Sequence, residues 1–308
     1  MSRRTPGPTR GPDARVQLHL LDGTYELFRS HFGRPPHAGV DGQPAGATLG
    51  VVESTLSLLR EDGVTHLAAA TDHVISSWRN ERFAGYKTDT GMPPELLAQF
   101  PLVESALKAI GVVLWPMVEY EADDALGAAA ARWAEDPALT RVIILSPDKD
   151  MAQCVREDGR VVTYDRRKRL FVDADGVREK FGVSPASIPD FLALVGDTSD
   201  GYPGIPGWGA VSTAAVLRRY PHLEDIPESV RMWDVSVRGA ATLAMAFKER
   251  HDEALLYREL ALLSLDAPIP QRSVDELRWR GVPRAPFEAL VERLAAPALR
   301  GRVHRWAD

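Results

Sequence analysis

The sequence predicts an α/β fold: a central, mostly parallel sheet flanked by helices, followed by a helical region. Three observations carry that prediction. Short apolar runs at 16–22, 66–72 and 141–145 have the length of buried strands. Stretches of helical period separate them, the alternation that builds parallel sheets. From Asp173 onward the pattern is helical, with breaks at Pro185, Pro203 and Pro206.

In chain order, residues 16–22 read as a buried strand and Thr24 to His31 as a short helix. Gly33 to Gly46 is rich in Gly and Pro and reads as a loop. Ala47 to Arg60 carries Leu49, Val52, Leu56 and Leu59 at helical spacing. The second strand spans 66–72. Residues 73–93 mix aromatics with Arg and Lys and then break, the composition of a mobile segment over one edge of the sheet. Glu95 to Ile110 returns to a helix, with a short strand at Val112 to Leu114. The Ala-rich stretch after Asp124 is a strong helix former. Strand 141–145 follows, and a helix is expected from Lys149. Val161 to Tyr164 and Leu170 to Val172 flank Asp165-Arg166-Arg167-Lys168-Arg169. This reads as a β-hairpin with a basic tip, by itself a solvated turn. The divisions expected are a flexible basic tail at 1–14, a core at 15–185 and a helical region at 186–308.

Composition narrows the classes. With 308 residues, 44% hydrophobic and 26% charged, the chain can bury a full core without staples. Cys154 is the only cysteine, which excludes an intrachain disulfide and a Cys-based zinc site. It reads as a small buried residue, compatible with a reducing cytoplasm. The N-terminus lacks the apolar segment of a secretory signal, and no apolar run approaches the ~20 residues of a membrane span. The net charge of -6 argues by itself against a nucleic-acid partner.

The acids, however, are patterned. Strand-like runs end at Asp22 and Asp72, and a third leads into Ser146-Pro147-Asp148-Lys149-Asp150. In α/β sheets, functional residues gather at the carboxyl ends of parallel strands. Glu121-Ala122-Asp123-Asp124 starts a helix, where the dipole favours acids and a spacing of three puts Glu121 and Asp124 on one face. Asp197 and Asp200 follow the apolar run 192–195. Together they imply one pocket. Crowded carboxylates repel or titrate upward, and a hard divalent cation relieves both. Oxygen-only ligands favour Mg²⁺ or Mn²⁺ over Zn²⁺. Nine carboxylates (Asp22, Asp72, Glu121, Asp123, Asp124, Asp148, Asp150, Asp197, Asp200) exceed the needs of one ion. Two ions about 4 Å apart, clamping an in-line phosphoryl displacement, fit them. Bound cations would also offset part of the negative balance.

Pro203-Gly204-Ile205-Pro206-Gly207-Trp208-Gly209 opens a helix at Ala210. A glycine-rich turn there offers free backbone N–H groups to a phosphate. No strand precedes it, so it is not a dinucleotide fingerprint. Helix, Gly-x-Gly hairpin, helix is a way to hold a DNA backbone without reading its sequence.

On these stretches the chain resembles the 5′-nuclease family, which includes flap endonucleases and the 5′–3′ exonuclease domain of bacterial DNA polymerase I. The matching residues are Leu21-Asp22-Gly23, Tyr86-Lys87, Glu121-Ala122-Asp123-Asp124, Asp148-Lys149-Asp150, Gly196-Asp197-Thr198-Ser199-Asp200 and the 203–209 turn, in the family's order over roughly 16 to 265. The resemblance implies a PIN-like nuclease core with an arch at about 73–93 and a helix-hairpin-helix-type DNA-binding region. It implies a stand-alone member acting as a monomer in the cytoplasm, on DNA with a 5′ flap, nick or single-strand/duplex junction, RNA-primed ends included. It assigns all nine acids to metal binding and Lys87 and Arg79 to the scissile phosphate. Phe28 falls at a base-stacking position and Arg29 at a phosphate contact. Gly204, Gly207, Trp208 and Gly209 match the hairpin that grips the duplex, often with K⁺.

Two residues stay open on their own chemistry. Phe28 on an apolar helix also reads as core, and Trp208 as a packed plug. Departures from the family's pattern are Thr90 and Val211, where it carries Arg and Lys, and Pro147, where it carries Gly. The first two remove positive charge from the DNA path. Rival readings are a non-catalytic DNA-junction binder of the same fold and a Mg²⁺-dependent small-molecule phosphatase. The second is suggested by Leu21-Asp22-Gly23-Thr24, but it lacks a partner carboxylate at Leu20.

Overall fold

Alternating side chains on the first strand decide the architecture. In β1 (Val16–Asp22), Leu18 and Leu20 face one apolar layer and Leu21 faces another, each without exposed surface. A strand buried on both faces belongs inside a sheet covered by helices. The computed structural model describes residues 16–61 and 63–307. The expected tail at 1–14 lies outside them.

The elements after β1 are α1 (Gly23–Gly33), α2 (Gly46–Leu58), β2 (Val64–Asp72), α3 (Trp78–Arg82), α4 (Pro94–Leu97), α5 (Phe100–Ala109), β3 (Val113–Met117), α6 (Ala122–Trp133), β4 (Leu139–Leu145), β5 (Val161–Asp165) and β6 (Leu170–Val172). Their sheet runs β3-β2-β1-β4-β5-β6, parallel except for β6 at the edge. Strand order reverses between β1 and β4, so the crevice at their carboxyl ends is a topological switch point. On one face α2 and α5 pack through Val51, Leu56, Val103 and Leu107. On the other, α6 packs through Ala125, Leu126 and Ala129. Each fully buried Leu contributes about 1.5–3 kcal/mol.

The helical unit follows: α7 (Ala174–Phe181), α8 (Ile188–Val195), α9 (Ala210–Arg219), α10 (Ala240–Glu249) and α11 (His251–Ala261), around Phe191, Leu217, Phe247 and Leu260. The last helix, α12 (Arg284–Arg293), does not stay with it. Leu263, Val274 and Leu277 join the α6 face of the sheet, and Trp279, Val282, Phe287 and Leu290 join the α2/α5 face. The expected division at 186–308 is therefore corrected: from Leu263 the chain returns to the core, because its apolar residues find their partners there.

Three local expectations also change. The helix at 95–110 is two helices, because Pro101 lies in the first turn of α5 and its ring and missing N–H forbid continuation from α4. The helix from Lys149 is one 3₁₀ turn, Asp150–Cys154, since the chain must reach β5 by Val161. Residues 73–93 are tied down: Ser77 and Asn80 cap α3 reciprocally, and Lys87 N–H donates to Asp200 C=O at 3.0 Å.

Candidate active site

The sheet supplies one half of the acidic site. Asp22 ends β1 and caps α1: its Oδ1 accepts from Tyr25 N–H at 2.8 Å and its Oδ2 from Ser146 Oγ–H at 2.8 Å. Asp72 ends β2, and its Oδ1 accepts from Ala122 N–H at 2.7 Å, linking it to the start of α6. Glu121 precedes α6 and accepts from Ser77 Oγ–H at 2.8 Å and Tyr86 O–H at 3.2 Å. Asp123 lies in the first turn of α6, partly exposed.

Loops supply the other half. Asp148 stands exposed at the mouth, after β4. Asp150 is buried on the 3₁₀ turn, and its Oδ1 has no hydrogen-bond partner. Asp197 and Asp200 follow α8, where Gly196 (φ +85°) and Gly204 (φ +72°) bring two backbone segments so close that a Cβ on either would strike the other. That contact closes the 197–204 loop back onto the end of α8, where Ile205 N–H donates to Leu194 C=O at 2.8 Å. Two lysines lie among the acids. Lys87 Nζ is 3.0 Å from Glu121 Oε2 and 2.9 Å from Asp200 Oδ1, and Lys149 Nζ is 2.5 Å from Asp197 Oδ2.

Burial raises the pKa values of Asp22, Asp72, Asp123, Asp150 and Asp200. Asp72 is pushed up to about 6 by burial, with Glu121 adding to the shift and Lys87 opposing it. Burial also raises Asp22, against the donors Tyr25 and Ser146. Asp123 rises well above the carboxylate range through burial and then Asp22 and Asp148. Asp150 does so through burial and then Asp148, Asp200 and Asp197. Burial works against the charge on Lys87, but Glu121 and Asp200 outweigh it and hold the ammonium protonated.

Asp124 and Arg79 depart from expectation together. The Arg79 guanidinium clamps Asp124 with two bonds of 2.8 Å and donates to Leu260 C=O and Leu262 C=O, each at 2.8 Å. Asp124 also accepts from Glu121 N–H at 3.0 Å and Ser264 N–H at 2.8 Å. Four donors fill a carboxylate's acceptor sites. Neither side chain has more than 1% of its residue surface exposed. Asp124 is therefore saturated without a metal, and Arg79 is not free to meet a phosphate. Their pair staples α3, α6 and the exit of α11.

The remaining acids offer only oxygen, and the unpartnered Asp150 oxygen among like charges suits a hard divalent cation. Among the described residues, no three His, Cys, Asp or Glu side chains stand close enough together to hold an ion as they are. The cause is in the contacts above: several carboxylates are turned toward Lys87, Lys149, Ser146 and backbone N–H groups. Lysine ammoniums supply part of the positive charge that the acids require.

The hairpin region is mixed. Trp208 is buried, donates from Nε1 to Leu243 C=O at 3.1 Å, and packs on Trp233 and Phe247. It is a plug, which corrects its assignment to DNA. Gly209, at the start of α9, has open space around it, and Val211 is 87% exposed. Gly207 adopts φ +87°, and Gly204 serves the loop contact already described. Phe28 packs edge-on against Phe100 at 6.2 Å and beside Phe32 at 6.5 Å, so the core reading holds for much of its ring. Arg29 is exposed, held by Glu26 at 2.5 Å. A separate cavity of about 520 Å³ opens next to these residues, walled by Ser30, His31, Arg34 and Gln99; none of the nine acids lines it.

Comparison with known proteins assigns the chain. Residues 17–182 match the family described as 5′-3′ exonuclease, N-terminal resolvase-like domain, and residues 183–285 match 5′-3′ exonuclease, C-terminal SAM fold. The chain belongs to the 5′-3′ exonuclease family. A 5′-3′ exonuclease of Aquifex aeolicus is 34% identical over 210 residues, 68% of this chain and 71% of that protein. DNA polymerase I of Pseudomonas aeruginosa is 34% identical over 287 residues, 90% of this chain and 30% of that protein. The chain thus spans under a third of the length of that polymerase. In three dimensions it is similar to the T5 5′-exonuclease with zinc bound (TM-score 0.65, 16% identity, 90% of this chain and 99% of that one). It is also similar to a T5 flap endonuclease in complex with DNA and metal ions (TM-score 0.63, 17% identity, 91% and 99%).

Some residues to which the sequence assigns no role hold the acids of this site in place. Ser77, Tyr86 and Ser146 donate to Glu121 and Asp22. Ser146 could have been found, since a hydroxyl directly after a strand points into the same crevice as the acids. Ser77 could not, because its partner lies forty-four residues away.

Proposed function

We propose that this chain hydrolyses DNA phosphodiester bonds at 5′ ends or flaps, as a structure-specific 5′ nuclease dependent on Mg²⁺ or Mn²⁺. The observation that carries the reading is that Asp22, Asp72, Glu121, Asp123, Asp148, Asp150, Asp197 and Asp200 act on one another's charge around the carboxyl ends of the strands, with Lys87 between Glu121 and Asp200 and a buried oxygen of Asp150 left unpaired. These eight acids, without Asp124, would hold two cations. Bound there, such ions supply a water of lowered pKa as nucleophile and take up charge on the leaving oxygen.

The chain's own residues prepare the rest. Tyr25 N–H, Ser146 and Ala122 N–H fix Asp22 and Asp72, so those carboxylates need little reorganisation. Lys87, kept protonated and only partly exposed, would offset negative charge on the phosphate. The open N-terminus of α9 at Gly209 would offer backbone N–H groups to the duplex. A K⁺ ion at that turn would be held by its backbone carbonyls, of which Ile205 C=O also accepts from Trp208 N–H, and Gly209 C=O from Thr213 N–H and Ser212 Oγ–H. Among the described residues no helix is long and apolar enough to cross a membrane; action on DNA in the cytoplasm, as a monomer, is part of the proposal.

The test is cleavage of a 5′-flap duplex with Mg²⁺ or Mn²⁺, with and without chelator. Cutting that the chelator abolishes is expected, and Asp148→Asn should fold normally but not cut. The lysine contacts of Glu121, Asp197 and Asp200 favour one alternative, a DNA-junction binder without turnover. Binding of the flap without any cut, at any ion concentration, would favour that alternative.

A further inference from the structure

Resting on the reading just proposed, one residue outside every motif stands out: Tyr202. Its hydroxyl is buried in a residue with no exposed surface, and it has no hydrogen-bond partner. Buried tyrosine hydroxyls normally find one. In this molecule others do: Tyr86 donates to Glu121 at 3.2 Å, and Tyr220 donates to Met232 C=O at 3.2 Å. The backbone of Tyr202 exchanges hydrogen bonds with Asp197, at 2.9 and 3.1 Å, so the residue is fixed to an acid of the site. Its ring is stacked on Tyr257, centroids 5.6 Å apart, which leaves the side chain little freedom to seek another acceptor.

On the same side of the site, Asp150 Oδ1 is the buried carboxylate oxygen without a donor. Tyr202 is buried in the same apolar cluster as Ala152, on the turn that carries Asp150, and Asp150 is the strongest of the negative charges acting on its hydroxyl. A donor without an acceptor and an acceptor without a donor thus share one buried neighbourhood.

We propose that Tyr202 is a positioning residue for cation binding: its hydroxyl donates to the Asp150 carboxylate when that group turns to hold a divalent ion. An ion draws on one carboxylate oxygen, and a donor on the other fixes the group's rotation. Groups that hold a ligand in this way typically contribute 10–100-fold to metal affinity. Phenylalanine at 202 keeps the ring and its stacking and removes only the donor.

The experiment is calorimetric titration of Mn²⁺ into the full chain without DNA, for the wild type, Tyr202→Phe, Asp150→Asn and the double variant, with melting temperature measured without ion. The expected result is Mn²⁺ affinity at least about tenfold weaker in Tyr202→Phe, unchanged or raised melting temperature, and no further loss on adding Tyr202→Phe to Asp150→Asn. Wild-type affinity within twofold, with a higher melting temperature, would make the hydroxyl a packing defect and overturn the inference alone. A wild type that binds no Mn²⁺ would overturn the proposed function with it.

Discussion

The two halves of the acidic site are held by different forces. At the strand ends, Asp22 and Asp72 are fixed by backbone N–H groups and a serine, none of which can leave. On the loops, Asp197 and Asp200 are held by lysine ammoniums, and one oxygen of Asp150 by nothing. The sheet half is therefore set by folding. The loop half is set by charges that can be exchanged for other cations. Asp123 and Asp124 show the same contrast within one motif: the first faces the bowl, and the second is consumed by a structural clamp.

The largest test of that contrast is Arg79→Ala. It leaves Asp124 fully buried with no counter-charge, and breaking such a pair costs about 3–5 kcal/mol. Denaturant unfolding should register that loss. A loss under about 1 kcal/mol, well below that range, together with abolished cleavage, would instead return Arg79 to the phosphate.

Next comes His19, buried in β1 three residues before Asp22 with its Nδ1 unpaired. Burial lowers its pKa from 6.5 to about 4, with His66 and Arg166 the charged groups facing it. The unfolded chain takes up this proton near pH 6.5 and the folded chain only near 4. Stability is therefore lost as pH falls between those values, by up to about 3 kcal/mol. The raised carboxyl groups act in the opposite direction, because the folded state keeps their protons longer. The difference between wild type and His19→Leu isolates the histidine: it should widen from pH 7 to pH 4. A constant difference would mean that His19 is protonated inside the fold.

Much of this was legible in the sequence because strands and acids were coded locally. The runs ending at Asp22 and Asp72 gave both the sheet and its functional edge, since side-chain period and chain direction follow from consecutive residues. The 203–209 turn was legible for the same reason. Arg79 and Asp124 were not: their roles depend on Leu260, Leu262 and Ser264, more than a hundred residues away. Trp208 was decided by Trp233 and Phe247, which no local pattern connects to it. The return of α12 to the core was hidden because an amphipathic helix does not state which apolar surface it covers.

A smaller effect probes the exchangeable half. Lys149 is 42% exposed at its contact with Asp197, where an ion pair contributes under about 1 kcal/mol. Lys149→Ala should tighten Mn²⁺ binding about two- to fivefold, because the ion no longer displaces an ammonium. Weaker binding in the variant would show instead that Lys149 orients Asp197.

The smallest effect lies on the hairpin. Val211 is 87% exposed in the first turn of α9, beside the open Gly209, and contributes no packing. Val211→Lys should leave stability within about 0.5 kcal/mol. If the start of α9 tracks the duplex backbone, the added ammonium neutralises one more phosphate, and the slope of log affinity against log salt should steepen by about one. The cation sits at the positive end of the helix dipole, which offsets a few tenths of a kcal/mol, so affinity at a single salt concentration is the poorer readout. Duplex binding measured across salt, in a chelator to prevent cutting, separates the two terms. An unchanged slope would place the DNA backbone away from α9 and leave the acidic site to find its substrate by another surface.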